Sequence, residues 1–225
     1  MGQRTGIGLA RVLDALAAAG QRGEVPEDPG SDEIFGPTVT LDETVLDGRR
    51  VNSAVLAVLF EERGEARLIF TRRSTALRTH RGEVSFPGGR LDGDEAPVAG
   101  ALREAFEEVA LDPSSVDVVG WIHPVMTMVS ASVILPVLAT VGGRPVLTPS
   151  PAEVERVFDV SLGELAEPGV FHEERWSIPG RDIPGSDDNS FPIWFFEVSG
   201  EMIWGATARM LYELLTIVLV GVDPA

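Results

Sequence analysis

Glu104, Glu107 and Glu108 stand at i, i+3 and i+4, a spacing that gathers three carboxylates on one side of a helix. Like charges so close repel, and a fold ordinarily spreads or pairs them. Divalent cations reverse that logic, because hard Mg²⁺ and Mn²⁺ prefer oxygen ligands. A solvated acidic face fits the same spacing, and Arg103 stands where it can pair with Glu107 at i, i+4. The preceding residues shift the balance toward a metal. Phe86-Pro87-Gly88-Gly89 lets backbone approach a ligand closely, since glycine has no Cβ in the way, and a carbonyl exposed there can complete a metal shell. The polar loop Arg90-Leu91-Asp92-Gly93-Asp94-Glu95 then feeds the helix.

Upstream lies a second chemical feature. Seven of the eighteen basic residues, all of them arginine, fall between Arg63 and Arg90. Guanidinium forks match phosphate oxygens, so the segment reads as a phosphate binder. Surface arginines pairing with the many carboxylates would look the same by composition alone.

The elements that must position these residues follow from periodicity. Val98, Ala101, Leu102, Ala105 and Val109 form one apolar stripe, which predicts a helix over Pro97–Val109 with the proline in its first turn. Val51–Phe60 and Ala66–Thr71 read as strands joined in a hairpin by a polar, glycine-containing turn. Glu83–Phe86, Val116–Trp121, Val133–Thr140, Val157–Val160 and Pro192–Val198 read as further strands, and about Ala206–Val218 as a last helix. An amphipathic helix is expected over 8–19, with Leu9, Val12, Leu13 and Leu16 on one side, then a Gly/Pro/acidic linker over 20–38. The order is α+β with many antiparallel neighbours, which disfavours a doubly wound dinucleotide fold.

The chain has 225 residues, no cysteine and a formal charge of −17. The length suffices for a core without disulfides, and the absence of thiols excludes a thiolate zinc site or a cysteine nucleophile. The charge argues against sequence-independent nucleic-acid binding and against docking on anionic lipid. It also means that a phosphorylated substrate needs local positive charge or metal ions. No segment reads as a signal peptide, and the apolar run Leu214–Val222 is too short to span a bilayer, so a buried helix end and a cytoplasmic protein are expected. His80, His123 and His172 lack metal-ligand spacing, although His80 lies among the arginines. The four tryptophans read as core, and so does the stretch Met126-Thr127-Met128, for which a flexible apolar pocket is the alternative.

From Gly89 the chain reads G, five residues, Glu95, seven residues, Arg103-Glu104-Ala105-Phe106-Glu107-Glu108-Val109-Ala110-Leu111. This resembles the Nudix box, G-x5-E-x7-R-E-U-x-E-E-x-G-U, with Ala110 in place of the last glycine and Ala105 a small choice for the aliphatic position. The resemblance implies a Nudix fold, a mixed β-sheet sandwiched between α-helices, with 1–37 as N-terminal helix and linker and 38–225 as the hydrolase domain. It implies a Mg²⁺- or Mn²⁺-dependent hydrolase of nucleoside diphosphate conjugates. Glu104, Glu107 and Glu108 are then the catalytic residues and, with the Gly89 carbonyl, the metal ligands; Glu104 is a ligand or the base that activates water. Glu95 and Arg103 look structural. An extra carboxylate from a later loop is expected, with Glu153, Glu155, Glu173 and Glu174 all open.

The segment Ile69-Phe70-Thr71-Arg72-Arg73-Ser74, then Arg78, Gly82 and Phe86-Pro87-Gly88-Gly89, resembles L-L-T-x-R-S-x3-R-x3-G-x3-F-P-G-G, with Phe70 at a leucine position. That motif marks the coenzyme A pyrophosphatase branch of the family, and Ile203–Arg209 is similar to the same branch less specifically. The resemblance implies hydrolysis of coenzyme A, or its acyl form, to 3′,5′-ADP and 4′-phosphopantetheine. Arg73 and Arg78 are the first substrate-binding candidates, followed by Ser74, Arg72 and Arg81. The partner expected is a small nucleotide conjugate, not nucleic acid or membrane, with a homodimer left open. Another nucleoside diphosphate conjugate such as ADP-ribose, or a non-catalytic nucleotide-binding domain, remains an alternative.

Overall fold

The computed structural model describes residues 6–26, 51–77, 79–127, 132–177 and 188–220. Its strands are β1 (Ser53–Glu62), β2 (Glu65–Arg73), β3 (Val84–Ser85), β4 (Gly88–Arg90), β5 (Val116–Trp121), β6 (Val125–Met126), β7 (Val133–Val141), β8 (Val154–Ser161), β9 (Phe171–Trp176), β10 (Phe191–Val198) and β11 (Glu201–Trp204). The helices are α1 (Leu9–Ala18), α2 (Pro97–Val109), α3 (Leu162–Leu165) and α4 (Gly205–Val220).

β1 and β2 form the expected hairpin, closed by the two-residue turn Arg63-Gly64, with left-handed backbone at both positions (φ 55° and 79°). β1 then runs parallel to β7, while β5 and β6 flank β7 antiparallel. β3 and β8 pair with β2, and β4 pairs with β1, all antiparallel. The main sheet is therefore mixed, ordered β3-β2-β1-β7-β5 with β8, β4 and β6 attached off that path.

The alternation of β1 divides the core. Ala54, Leu56, Val58 and Phe60 face one cluster with Ala101, Ala105 and Val109 of α2. Ala57 and Leu59 face the other, which holds Val12 and Leu16 of α1 and Leu211 and Leu214 of α4. Thus α2 covers one face, and α1, α3 and α4 cover the other together with the antiparallel sheet β11-β10-β9. Alanines at 101 and 105 let α2 lie close on β1, and full burial of Val109 contributes about 1.5–3 kcal/mol. Of segment 1–37, residues 6–26 are described: Ile7, Val12 and Leu16 belong to the main core, and Arg22 bridges to Gly120. The C-terminal helix buries Leu214, Leu215 and Val218. Among the described residues no helix is long and apolar enough to cross a membrane.

The sequence does not announce β4, β6, β9, β11 or α3. Gly88-Gly89-Arg90 reads as a loop but is a strand in register with Ser53–Val55. Gly88 has φ 150°, and a Cβ there would fall 2.4 Å from the Ala54 carbonyl oxygen. Only glycine lets this strand approach β1 so closely. That approach sets the floor of the site described next.

Candidate active site

α2 presents its glutamates to the end of the sheet where β2 and β4 finish and β8 begins. Carboxylate oxygens of Glu104, Glu108 and Glu153 lie within 4.8 Å of one another. Glu108 is 1% exposed. Its Oε2 accepts a hydrogen bond from the Gly88 N–H at 3.1 Å, and its Oε1 lies 3.5 Å from Arg73 Nη1. Glu104 lies against Gly89 so tightly that a Cβ there would sit 2.6 Å from its carboxyl group. The glycine pair thus serves the carboxylates directly, one by its N–H and the other by its missing side chain.

Burial sets the proton affinity of this cluster. It pushes the Glu108 carboxyl up to about 7, against the Gly88 N–H and the Arg73 guanidinium, which both pull it down. Glu104 and Glu153 add repulsion in the upward direction. Burial likewise raises Glu104, although Arg103 donates to it at 2.9 Å. Such a group of converging, buried oxygens has the donor chemistry of a hard divalent ion site.

Arg103 is the brace the resemblance implied. Its Nε and Nη2 clasp Glu95 at 2.9 and 2.8 Å, and Nη2 also donates to the Arg90 carbonyl at 3.0 Å. Its Nη1 reaches Glu104 and, at 3.3 Å, Glu107. The hydrogen bonds that Arg103 donates hold Glu95 below the usual carboxylate range and raise the guanidinium above its own. Glu107 lies outside the cluster, with a side chain 55% exposed. Of the four later carboxylates, Glu153 is the one brought in. Glu155 lies 4.0 Å from Arg72, and Glu173 and Glu174 sit on β9. Glu153 is one of the four candidates the resemblance left open, and sequence does not select it: its place comes from backbone bonds that tie residues 148 and 150 to the carbonyls of Val109 and Glu108.

The adjacent arginines of the upstream motif part company. Arg73 reaches Glu108, and its Nε is buried without a hydrogen-bond partner among the described residues. Arg72 is bound instead to Glu201 of β11, at 3.3 Å. Ser74 is buried; its hydroxyl accepts from the Ala76 N–H, and its own N–H donates to the Glu153 carbonyl at 2.8 Å. Arg81 donates to the Leu77 carbonyl, and His80 pairs with Glu83 at 2.9 Å on the surface. Arg78 lies outside the described residues.

Ala110 ends α2 in the left-handed region, at φ 55° and ψ 33°. The glycine of the box is therefore replaced without loss of the turn. The Ala110 N–H bonds the Phe106 carbonyl, and the Leu111 N–H reaches the Ala105 carbonyl, closing the helix as a glycine would.

Residues 50–179, more than half of the chain, match the NUDIX domain family. The "Uncharacterized Nudix hydrolase NudL" of Citrobacter koseri is 36% identical over 182 residues, which cover 80% of this chain and 89% of that one. The Arabidopsis thaliana protein "Nudix hydrolase 22, chloroplastic" is 38% identical over 178 residues. That match covers 76% of this chain but only 56% of the plant protein. A solved Nudix hydrolase from M. smegmatis, RenU, aligns with a TM-score of 0.43 and 20% identity, over 53% of this chain and 78% of that one.

Proposed function

The chain belongs to the Nudix family, and we propose that within it this protein is a Mg²⁺- or Mn²⁺-dependent pyrophosphatase of coenzyme A, with acyl-coenzyme A as a further substrate. Nudix hydrolases act on pyrophosphate bonds of nucleoside diphosphate derivatives and generally use divalent metals. The observation that carries the reading is the meeting of Glu104, Glu108 and Glu153 beside the Gly88-Gly89 pair.

Glu108 and Glu153, with the Gly89 carbonyl, are the residues that would hold the metal, and Glu107 stands at the rim for a further ion. A divalent ion bound there would neutralise the pyrophosphate and lower the pKa of a bound water. Glu104, kept proton-hungry by burial and oriented by Arg103, is placed to take the proton of the attacking water. Arg73 reaches into the same site and supplies positive charge toward the phosphates as one P–O bond breaks. Arg78, from the same motif, is the proposed reader of the 3′-phosphate. Arg72, held by Glu201, and Ser74, used in the loop, serve the site by position. The products are 3′,5′-ADP and 4′-phosphopantetheine.

Chromatographic product analysis tests this. The protein is incubated with coenzyme A, dephospho-coenzyme A, ADP-ribose or NADH, with Mg²⁺ or Mn²⁺, beside a Glu108→Gln control. Metal-dependent cleavage of coenzyme A in preference to the others is the expected result. Preference for ADP-ribose or NADH would leave the carboxylate chemistry standing and sink the coenzyme A assignment. Metal-dependent binding without any product would favour a non-catalytic domain.

A further inference from the structure

Arg72 and Arg156 are direct cross-strand partners on β2 and β8. Like charges placed so oppose strand pairing. Both guanidinium groups converge on one carboxylate, Glu201, whose side chain is 6% exposed. Arg72 Nη1 lies 3.3 Å from Oε2, and Arg156 Nη1 lies 3.1 Å from Oε1. Glu201 opens β11, in the separate three-stranded sheet, and so fastens that sheet to the β2–β8 pair.

The place of this fastening matters. Immediately beyond the Arg72–Arg156 pair the register shifts, and Arg73 lies opposite Val154, leaving Glu155 as the extra residue of a bulge. Bulges re-aim side chains and are common beside active sites. Here the residues just past the bulge are Arg73, which reaches Glu108, and Ser74, whose N–H holds the Glu153 carbonyl. Relaxing the bulge to regular pairing would move β8 by one residue, and a one-residue slip turns a strand's side chains to the other face.

We propose that Glu201 is a positioning residue for the metal carboxylates: by neutralising Arg72 and Arg156 across the two strands, it fixes the bulge that sets Arg73 on Glu108 and Ser74 on Glu153. The proposal rests on the metal reading of Glu104, Glu108 and Glu153 given above. Glu201 is not among the clustered carboxylates itself and acts through Arg72 and Arg156.

Glu201→Gln removes the charge and keeps the shape. Mn²⁺ binding to the substrate-free protein is measured by titration, amide exchange at Ser74 by NMR, and kcat and KM with whichever substrate the panel identifies. Outer-shell partners of metal ligands typically control affinity or activity about 10- to 100-fold. The Mn²⁺ dissociation constant should rise about tenfold, kcat should fall with KM little changed, and the Ser74 amide should exchange faster. Adding Arg156→Gln removes the repulsion and should restore Mn²⁺ affinity. A lowered melting temperature with Mn²⁺ affinity and Ser74 protection unchanged would reduce Glu201 to a structural tie and overturn the proposal. If Glu201→Gln does not fold, Glu201→Asp keeps the charge but shortens its reach. The same losses in smaller degree are then expected, and unchanged values overturn the proposal. Absence of Mn²⁺ binding in the parent protein is a separate outcome, which would sink the metal reading and this inference together.

Discussion

Two groups of carboxylates lie at opposite ends of the β2–β8 pair, and the fold treats them in opposite ways. At one end Glu62, Asp159 and Glu164 share Arg67 and Arg144. Burial pushes Asp159 up, but hydrogen bonds from Arg144 and Arg67 overcome it and leave the carboxyl below its usual range. Glu164 is lowered chiefly by the Ser161 N–H of its capping box, and Glu62 by Arg144. At the other end Glu104, Glu108 and Glu153 meet beside Arg103 and Arg73, yet burial raises Glu104 and Glu108. Three carboxylates share two arginines at each end; at one the hydrogen bonds outweigh burial, at the other burial outweighs them and favours a cation from solution. Carboxylates alone do not mark a functional site: burial that their hydrogen bonds do not offset does.

The sharpest way to break the contrast is to neutralise one member of each group. Glu108→Gln should lower turnover on the order of 10³-fold, the equivalent of several kcal/mol of charge stabilisation at the reacting phosphates. Asp159→Asn should leave turnover within about twofold of the parent, since its partners lie away from the metal cluster. Glu107→Gln belongs between them, because Glu107 is exposed and held by Arg103 outside the cluster. Steady-state kinetics on the three variants tests the order. Equal losses in Glu107→Gln and Glu108→Gln would show that the bound state draws Glu107 fully into the site.

The pH dependence of stability separates the groups next. In the metal-free protein the folded state keeps the Glu108 proton up to about 7, whereas the unfolded chain releases it near the ordinary carboxylate value of 4.5. The folded state therefore binds more protons between these values, and stability falls as pH rises through the window, by about 3 kcal/mol in all. Asp159, lowered in the fold, has the opposite sign: its contribution is present above its unfolded value and is lost as pH falls through its folded one. Denaturation in chelator between pH 5 and 8 should show the loss, Glu108→Gln should flatten it, and Mn²⁺ should reverse it. A parent protein equally stable across that range would contradict the raised Glu108.

Asp159→Asn should cost about 2 kcal/mol, because it leaves the largely buried Arg67 short of its nearest partner, while half-exposed Arg144 keeps Glu62. In a chain of this size that lowers the melting temperature by about 4–8 °C. Calorimetry at pH 7 checks the figure, and an unchanged melting point would show that the paired end contributes no net stability.

How far these two ends could be read from sequence follows from the range of the interactions. The helix Pro97–Val109 was legible because its apolar stripe and its carboxylates repeat at one local period, and the β1–β2 hairpin because its turn lies between two apolar runs. Arg103 and Glu95 were legible as a brace through their places in the box. Glu153 was only one of four open choices, since its position depends on a loop tied to the far end of α2. Arg72 and Arg73 looked alike in sequence; the bulge that parts them is a property of pairing with β8, more than 80 residues away. Glu201 gave no sign at all, because its importance comes from two strands it meets only in the folded chain.

Ala110 provides the smallest test and the cleanest separation of stability from chemistry. The box has glycine here, and the chain keeps the left-handed conformation with alanine at φ 55°. An L-residue pays about 1–2 kcal/mol in that region, while alanine returns part of this by restricting the unfolded chain. The turn itself is complete, with both helix-closing hydrogen bonds in place, and Ala110 is exposed, so no packing is lost on truncation. Ala110→Gly should therefore stabilise the protein by about 0.5–1 kcal/mol, read as a higher urea midpoint at constant slope. Turnover and Mn²⁺ affinity should not change, because Glu104 and Glu108 are held from the other side of the helix end by Arg103, Gly88 and Gly89. A large gain in turnover from this substitution would mean that the strained turn displaces the carboxylates, and that the arrangement of the buried cluster is not yet the working one.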